Sequence, residues 1–259
     1  MTTHIMHPDR TTPRFRPFKA LSHFKTLIQN KEDTTQVFYI IEALNGKSLL
    51  RDLKKFQKTK LGQQRISEAR YLPPLLDDHD ALRKLPENSV GAAYMNFMQR
   101  EGLSAAGLVA EYDQFAKDAY EYGDLIEWYG NRLRDTHDLL HVLTGYGRDA
   151  LGEACVLGFS YSQNKSLGAI FIAYMAAREI AKTAPRGAPV IKAVREGQRN
   201  GKASLKLAEQ DIMSLLHEPL DSARKRLGIA PPTQYDRVHA MFEENGVDPH
   251  EVLGAAVPA

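Results

Sequence analysis

Beyond residue 18 the apolar residues recur at three- and four-residue intervals and hardly ever alternate, so the chain reads as helices with no convincing strand. Val37, Ile40, Ile41 and Leu44 show the pattern before Asn45-Gly46 ends it. Leu49, Leu50, Leu53 and Phe56 repeat it between residues 48 and 58, with Ser48 placed to cap that helix. With 43% hydrophobic residues, a chain of 259 can bury a sizeable core. No repeat, linker or shift of composition divides it. The predicted fold is therefore all-α: a single mainly helical domain with a flexible basic N-terminal arm. The expected divisions are the arm at 1–18, the helical domain at 19–232, and a short helix with a C-terminal tail at 233–259, set off by Pro231-Pro232.

Several segments sharpen this outline. The turn at 85–91 leads into a helix over 92–99, and Gly123-Asp124 opens a long helix through Trp128 to Thr144, with Asp124 as N-cap. Gly145-Tyr146-Gly147 stops it, and a new helix carrying Glu153 starts near Asp149. Residues 205–216 and 219–227 read as the last firm helices. Asp77-Asp78-His79-Asp80 has metal-binding side chains but sits where a helix begins, and capping is the reading preferred for it. The run from Leu167 to Ala177, fenced by Lys165 and Arg178, is shorter than the roughly 18 apolar residues a membrane span needs. It reads as a buried core helix; the functional alternative is the wall of a lipid tunnel.

Charge excludes one broad class. Lys and Arg number 34 against 32 Asp and Glu, a net +2, which gives no basic face for nucleic acid. Arg10, Arg14, Arg16, Lys19 and Lys25 read as a solvated tail, with contact to anionic lipid as the alternative. Cys155 is the single cysteine, so no disulfide forms within the chain, and it lies in an apolar run as inert core. The N-terminus lacks the apolar stretch of a secretory signal, which suits a cytoplasmic protein.

Chemistry concentrates between residues 131 and 153. His137 and His141 stand four residues apart, so on a helix both imidazoles project from one face and can grip one metal. Asp138 is about 100° round the same helix, able either to ligate or to support a ligand from behind. On one continuous helix Glu153 would lie roughly 18 Å beyond His141, out of reach. The glycines at 145 and 147 can turn the chain so that the next helix folds back. Two His and two carboxylates suit Zn2+, Fe2+ or Mn2+. The alternative is an ordinary pair of helix histidines.

His137-Asp138-Leu139-Leu140-His141 followed after eleven residues by Glu153 resembles the hallmark of the ubiquinone (coenzyme Q) biosynthesis protein 4 family. Arg132-Leu133-Arg134 resembles that family's Arg-Tyr-Arg, with Leu133 in place of the aromatic. Leu85-Pro86 through Tyr94, and Glu218-Pro219-Leu220 with Arg224 and Leu227, resemble its flanking segments; the likeness runs over about 35–230. Leu157 and Ser160 stand where a Lys and a Glu are expected in commoner members. The resemblance implies a metal-dependent lyase that removes the C1 carboxylate of a polyprenylated 4-hydroxybenzoate-type precursor, with hydroxyl replacing it in the oxidative version. It implies a divalent metal, Zn2+ first, at His137, Asp138, His141 and Glu153. Arg132 or Arg134 would meet the substrate carboxylate, a structural ion pair being the alternative for each. The implied partners are a prenylated aromatic substrate or isoprenoid lipid, other quinone-biosynthesis proteins and, peripherally, the inner-membrane surface; a homodimer is left open. Two other readings stand beside it: a lipid-binding scaffold for a quinone-biosynthesis complex, and a metal phosphohydrolase of the HD type.

Overall fold

The computed structural model describes residues 4–12, 14–30, 35–116 and 120–254. Helices α1 (Pro17–Gln29) and α2 (Thr35–Asn45) pack side by side, followed by α3 (Ser48–Phe56) and α4 (Lys60–Glu68). Two single turns, α5 (Pro73–Leu76) and α6 (His79–Leu82), lead to α7 (Val90–Glu101) and α8 (Ala105–Phe115). The central run is α9 (Leu125–Asp135), α10 (His137–Thr144), α11 (Ala150–Asn164), α12 (Leu167–Ile180) and α13 (Val190–Ala203). A 3-10 turn at Leu207–Glu209, α14 (Ile212–His217), α15 (Leu220–Leu227), α16 (Thr233–Glu244) and α17 (Pro249–Leu253) complete it. No strand forms among the described residues, and the helices share one main core, as the periodicity predicts for a single all-α domain.

The pivot is α11, buried from Ala154 to Phe159 and flanked by α12 and α13. Glycines let α13 lie almost backbone to backbone on it. A Cβ at Gly197 would come within 2.5 Å of the Cys155 carbonyl oxygen, and one at Gly201 within 2.3 Å of that of Phe159. Any side chain at these positions would force the helices apart.

Polar residues set the helix ends. Asp124 caps α9 by accepting from the Glu127 amide, and Asp149 caps α11 by accepting from Leu151 and Gly152. The acidic run at 77–80 does cap: Asp78 accepts from the Ala81 amide, while Asp77 reaches across to the amides of Ala105 and Ala106 at the start of α8.

The structure departs from the sequence reading in five places. The long helix expected from Asp124 to Thr144 is interrupted at Thr136, whose hydroxyl bonds the Arg132 carbonyl. Ser48 is the first residue of α3, and Lys47 holds the cap position without a side-chain bond. Residues 205–216 form a 3-10 turn and a short helix instead of one helix. The segment after Pro232 is not merely a short helix and tail: α16 has twelve residues and sends Tyr235, Val238 and Phe242 into the main core. Finally, residues 4–12 of the expected loose arm are held down. The Leu125 and Ile126 amides donate to the His4 and Ile5 carbonyls, and Arg10 pairs with Asp124 at 2.7 Å and Glu127 at 2.6 Å. The arm thus occupies the otherwise unpaired amides at the start of α9.

Candidate metal centre

All eight residues of α10 are buried, four of them polar. Buried polar atoms need partners, so the question is where each one goes. Thr144 bonds its hydroxyl back to the Leu140 carbonyl. His141 places Nδ1 3.0 Å from the Tyr146 carbonyl oxygen. A carbonyl only accepts, so Nδ1 carries a proton, and Nε2 is the ring atom turned toward Glu153. Phe97 stacks against the same ring at 5.4 Å between centroids and fixes its plane.

Glu153 faces both imidazoles. Its Oε1 lies 3.2 Å from His137 Nε2 and its Oε2 3.0 Å from His141 Nε2. The turn at 145–149 brings it there: Gly145 takes φ +79°, and a Cβ at Gly152 would stand 2.0 Å from the Gly147 carbonyl oxygen. Only glycine permits α11 to start so close to the loop that precedes it. Ligand atoms of His137, Asp138 and His141 fall within 4.8 Å of one another, the one such group of three or more His, Cys, Asp or Glu among the described residues. The further His and Asp that an HD-type phosphohydrolase would gather from distant helices do not join it.

The donor set fits a divalent cation. Two ligands each about 2.1 Å from one tetrahedral ion lie about 3.4 Å apart, close to the separations here. His137 Nε2 and Glu153 Oε1 are buried and make no hydrogen bond, although they face each other. Burial alone would raise the Glu153 carboxyl, but the two imidazoles outweigh it and hold it well below the ordinary carboxylate range. Burial would lower His137, and Glu153 with Asp138 reverses that and raises it. Glu153 thus faces the two imidazoles as a carboxylate, the form in which it would ligate a cation.

His137 also lines a cavity of about 860 Å³. Val37, Phe38 and Ile41 of α2, Leu108 and Phe115 of α8, Leu140 of α10, and Leu157 with Ser160 of α11 form much of its wall. Leu157 and Ser160, the two departures from the family pattern, thus both face this space. Met6 and Arg10 of the arm line it as well. The apolar run at 167–177 mostly does not: Ala169 is its single lining residue, while Ile172, Ala173 and Ala177 are buried in the core.

The two arginines separate. Arg132 does not line the cavity; it donates to the carbonyls of Ala208 at 2.7 Å and Gln210 at 2.6 Å, and burial pushes its pKa down to about 10. It ties α9 to the 3-10 turn. Arg134 does line the cavity, its guanidinium 2.8 Å from Asp135 and 5.1 Å above the Tyr112 ring. Sequence reasoning did not find Phe97, the Tyr146 carbonyl, or Tyr235, which donates to Asp149. Their link to the site is set by tertiary packing, and no spacing announces it.

Residues 18–233 match the family described as coenzyme Q (ubiquinone) biosynthesis protein Coq4. The chain belongs to the Coq4 family. A Candida tropicalis protein named ubiquinone biosynthesis protein COQ4, mitochondrial, is 28% identical over 207 residues, 75% of this chain and 59% of its own length. The Aspergillus flavus protein of the same name is 29% identical over 165 residues, 63% of this chain and 54% of its own. This chain therefore spans a little over half the length of those relatives. A crystal structure from Nostoc punctiforme, described as a ubiquinone biosynthesis protein, shares the fold at a TM-score of 0.63 and 21% identity, over 83% of this chain and 98% of that one. No described helix of this Coq4 member is long and apolar enough to cross a membrane.

Proposed function

We propose that this chain carries out a step of ubiquinone biosynthesis, the metal-dependent C1 decarboxylation of a polyprenylated 4-hydroxybenzoate-type acid. The observation that carries the proposal is the shared edge between two features: the donor set of His137, Asp138, His141 and Glu153 opens through His137 onto a largely apolar cavity. Its volume of about 860 Å³ lies within the roughly 300–1,000 Å³ of small-molecule sites. Val37, Phe38, Ile41 and Leu157 offer an apolar surface to the ring and the first isoprene units. A divalent ion at the four side chains, Zn2+ first and Fe2+ or Mn2+ as alternatives, would supply a Lewis acid that stabilises negative charge developing on the ring.

The chain's own residues do the remainder. Arg134 places a cation on the wall for the substrate carboxylate, while Arg132, tied to backbone carbonyls, holds α9 in place and does not touch substrate. The apolar walls exclude water and so strengthen each charge contact inside. The C1–carboxylate bond breaks, carbon dioxide leaves, and the ring carbon takes up a proton. In the oxidative version hydroxyl from water takes the carboxylate's place, carbon dioxide leaves, and dioxygen accepts the two electrons and two protons and departs as hydrogen peroxide.

A lipid substrate implies a lipid surface. Residues 14–30 contain no acidic side chain. Phe15 and Phe18 are 60% and 87% exposed, Leu21 and Ile28 are exposed beside them, and Arg14, Arg16 and Lys25 surround them. Such a face suits peripheral attachment to an anionic inner membrane. The cavity by itself would also serve a lipid-binding scaffold for other quinone-biosynthesis proteins; the buried donor set favours catalysis.

The test is incubation of the metal-loaded protein with a short-tailed prenyl-hydroxybenzoate, with and without oxygen. Carbon dioxide release that vanishes in Glu153→Gln is the expected result. Full rescue of a quinone-deficient strain by a stable, metal-free Glu153→Gln protein would leave the scaffold as the better account.

A further inference from the structure

The loop at 145–149 does two things for the donor set at once. Through the Tyr146 carbonyl it holds the His141 ring, and through Asp149 it starts the helix that carries Glu153. The Asp149 backbone carbonyl accepts from the Glu153 amide itself at 2.9 Å. What holds this loop comes from far along the chain. The Tyr235 hydroxyl on α16 accepts from the Gly147 amide at 3.2 Å and donates to Asp149 Oδ2. Its ring meets Tyr146 edge-on at 5.6 Å. The fit leaves no room, since a Cβ at Gly147 would stand 2.6 Å from that hydroxyl. His239, one turn further on, lies 3.4 Å from the same Asp149 oxygen without hydrogen-bond alignment.

We infer that Tyr235 is a positioning residue for the metal centre: its one hydroxyl fixes the loop that aims His141 and launches the helix bearing Glu153. The inference rests on the metal reading above and adds to it a residue outside the family match, which ends at 233. The helix does not depend on this hydroxyl for its own placement. Thr233 and the Gln234 amide both bond Glu196 on α13, and Val238 and Phe242 anchor it in the core. Removing the hydroxyl therefore subtracts a constraint on the loop while leaving α16 where it is. Groups that hydrogen-bond metal ligands directly are worth about 10–100-fold in metal affinity, and Tyr235, acting one bond further out, belongs at the low end of that range.

The test uses the full chain, stripped of metal and titrated with Co2+, whose visible absorption reports both affinity and ligand geometry. Tyr235→Phe is expected to bind Co2+ about 10-fold more weakly, with an altered absorption band, and to lower the thermal midpoint of the metal-free protein by a few degrees, since Asp149 Oδ2 and the Gly147 amide lose their partner. Val238→Ala, which removes only packing from the same helix, is expected to lower that midpoint and bind Co2+ like the unaltered chain. Asp149→Asn gives a second route to the same loss should Tyr235→Phe not fold. Unchanged affinity and spectrum in a folded Tyr235→Phe or Asp149→Asn protein overturns the inference, as does an equal loss of affinity in Val238→Ala. An unaltered chain that binds no Co2+ overturns the metal reading itself, and this inference with it.

Discussion

Helices α10 and α12 both enter the main core, α10 through Leu and Val and α12 through Ile and Ala, yet they do opposite things. α12 buries Ala169, Ile172, Ala173, Ala177 and Ile180 against its neighbours, and these leave no polar side chain to account for. α10 buries His137, Asp138 and His141 among its leucines, and the His137 Nε2 atom makes no hydrogen bond. Burial by itself marks the core. Buried titratable side chains that converge on one point, as His137, Asp138 and His141 do, mark a candidate site, because taking each of them out of water is costly.

The largest expected effect tests this contrast directly. Changing both His137 and His141 to Ala should take the purified protein from about one divalent ion per chain to none, by elemental analysis. Ile172→Ala in α12 should leave the metal content untouched. Equal metal in the double variant would erase the distinction. Stability should behave the other way: Ile172→Ala is expected to cost about 2–5 kcal/mol in denaturant unfolding, since it opens a void in a packed core.

The arginines of α9 sharpen the same point. Arg132→Met leaves two buried carbonyls without their donor and should destabilise by about 2–3 kcal/mol, with metal binding unaltered. Arg134→Ala also costs stability, because it leaves the buried Asp135 carboxylate unpaired, but it alone should weaken substrate binding, read as a raised KM. An unchanged KM in Arg134→Ala, or an equal rise in Arg132→Met, would remove the difference between strut and wall.

Sequence patterns carried much of this, unevenly. The i, i+4 histidines, the glycine turn and Glu153 were legible because one short hairpin encodes them all, and helix geometry converts their spacing into distance. The cap at Asp124 and the helix start near Asp149 were legible for the same local reason. The interruption at Thr136 was not, since a hydroxyl bonding back to a carbonyl leaves no mark in the apolar period. Nor could spacing divide the two arginines, whose directions depend on whether the 3-10 turn or the cavity lies opposite. The arm and α16 were read as loose or peripheral because their partners, Asp124, Glu127 and Asp149, stand more than eighty residues away.

The smallest expected effect concerns the exposed face of α1. Phe18→Glu should change stability by no more than about 0.5 kcal/mol, the side chain being 87% exposed, yet reduce cosedimentation with anionic vesicles. Unchanged vesicle binding would turn this face into an ordinary solvated surface and leave the apolar cavity as the sole lipid-facing feature.

The span from His137 to Glu153 has a kinetic consequence. Closing a short loop carries little entropic penalty, and contacts near in sequence form ahead of distant ones. The paired helices can therefore bring the four proposed ligands together while much of the chain is still unfolded. Tyr235 reaches Asp149 across 86 residues and Gly147 across 88. On the ribosome the ligands are gathered first and locked last. A nascent chain that has emerged only as far as Pro232 already holds His137, Asp138, His141 and Glu153, and still lacks the hydroxyl that keeps them in register.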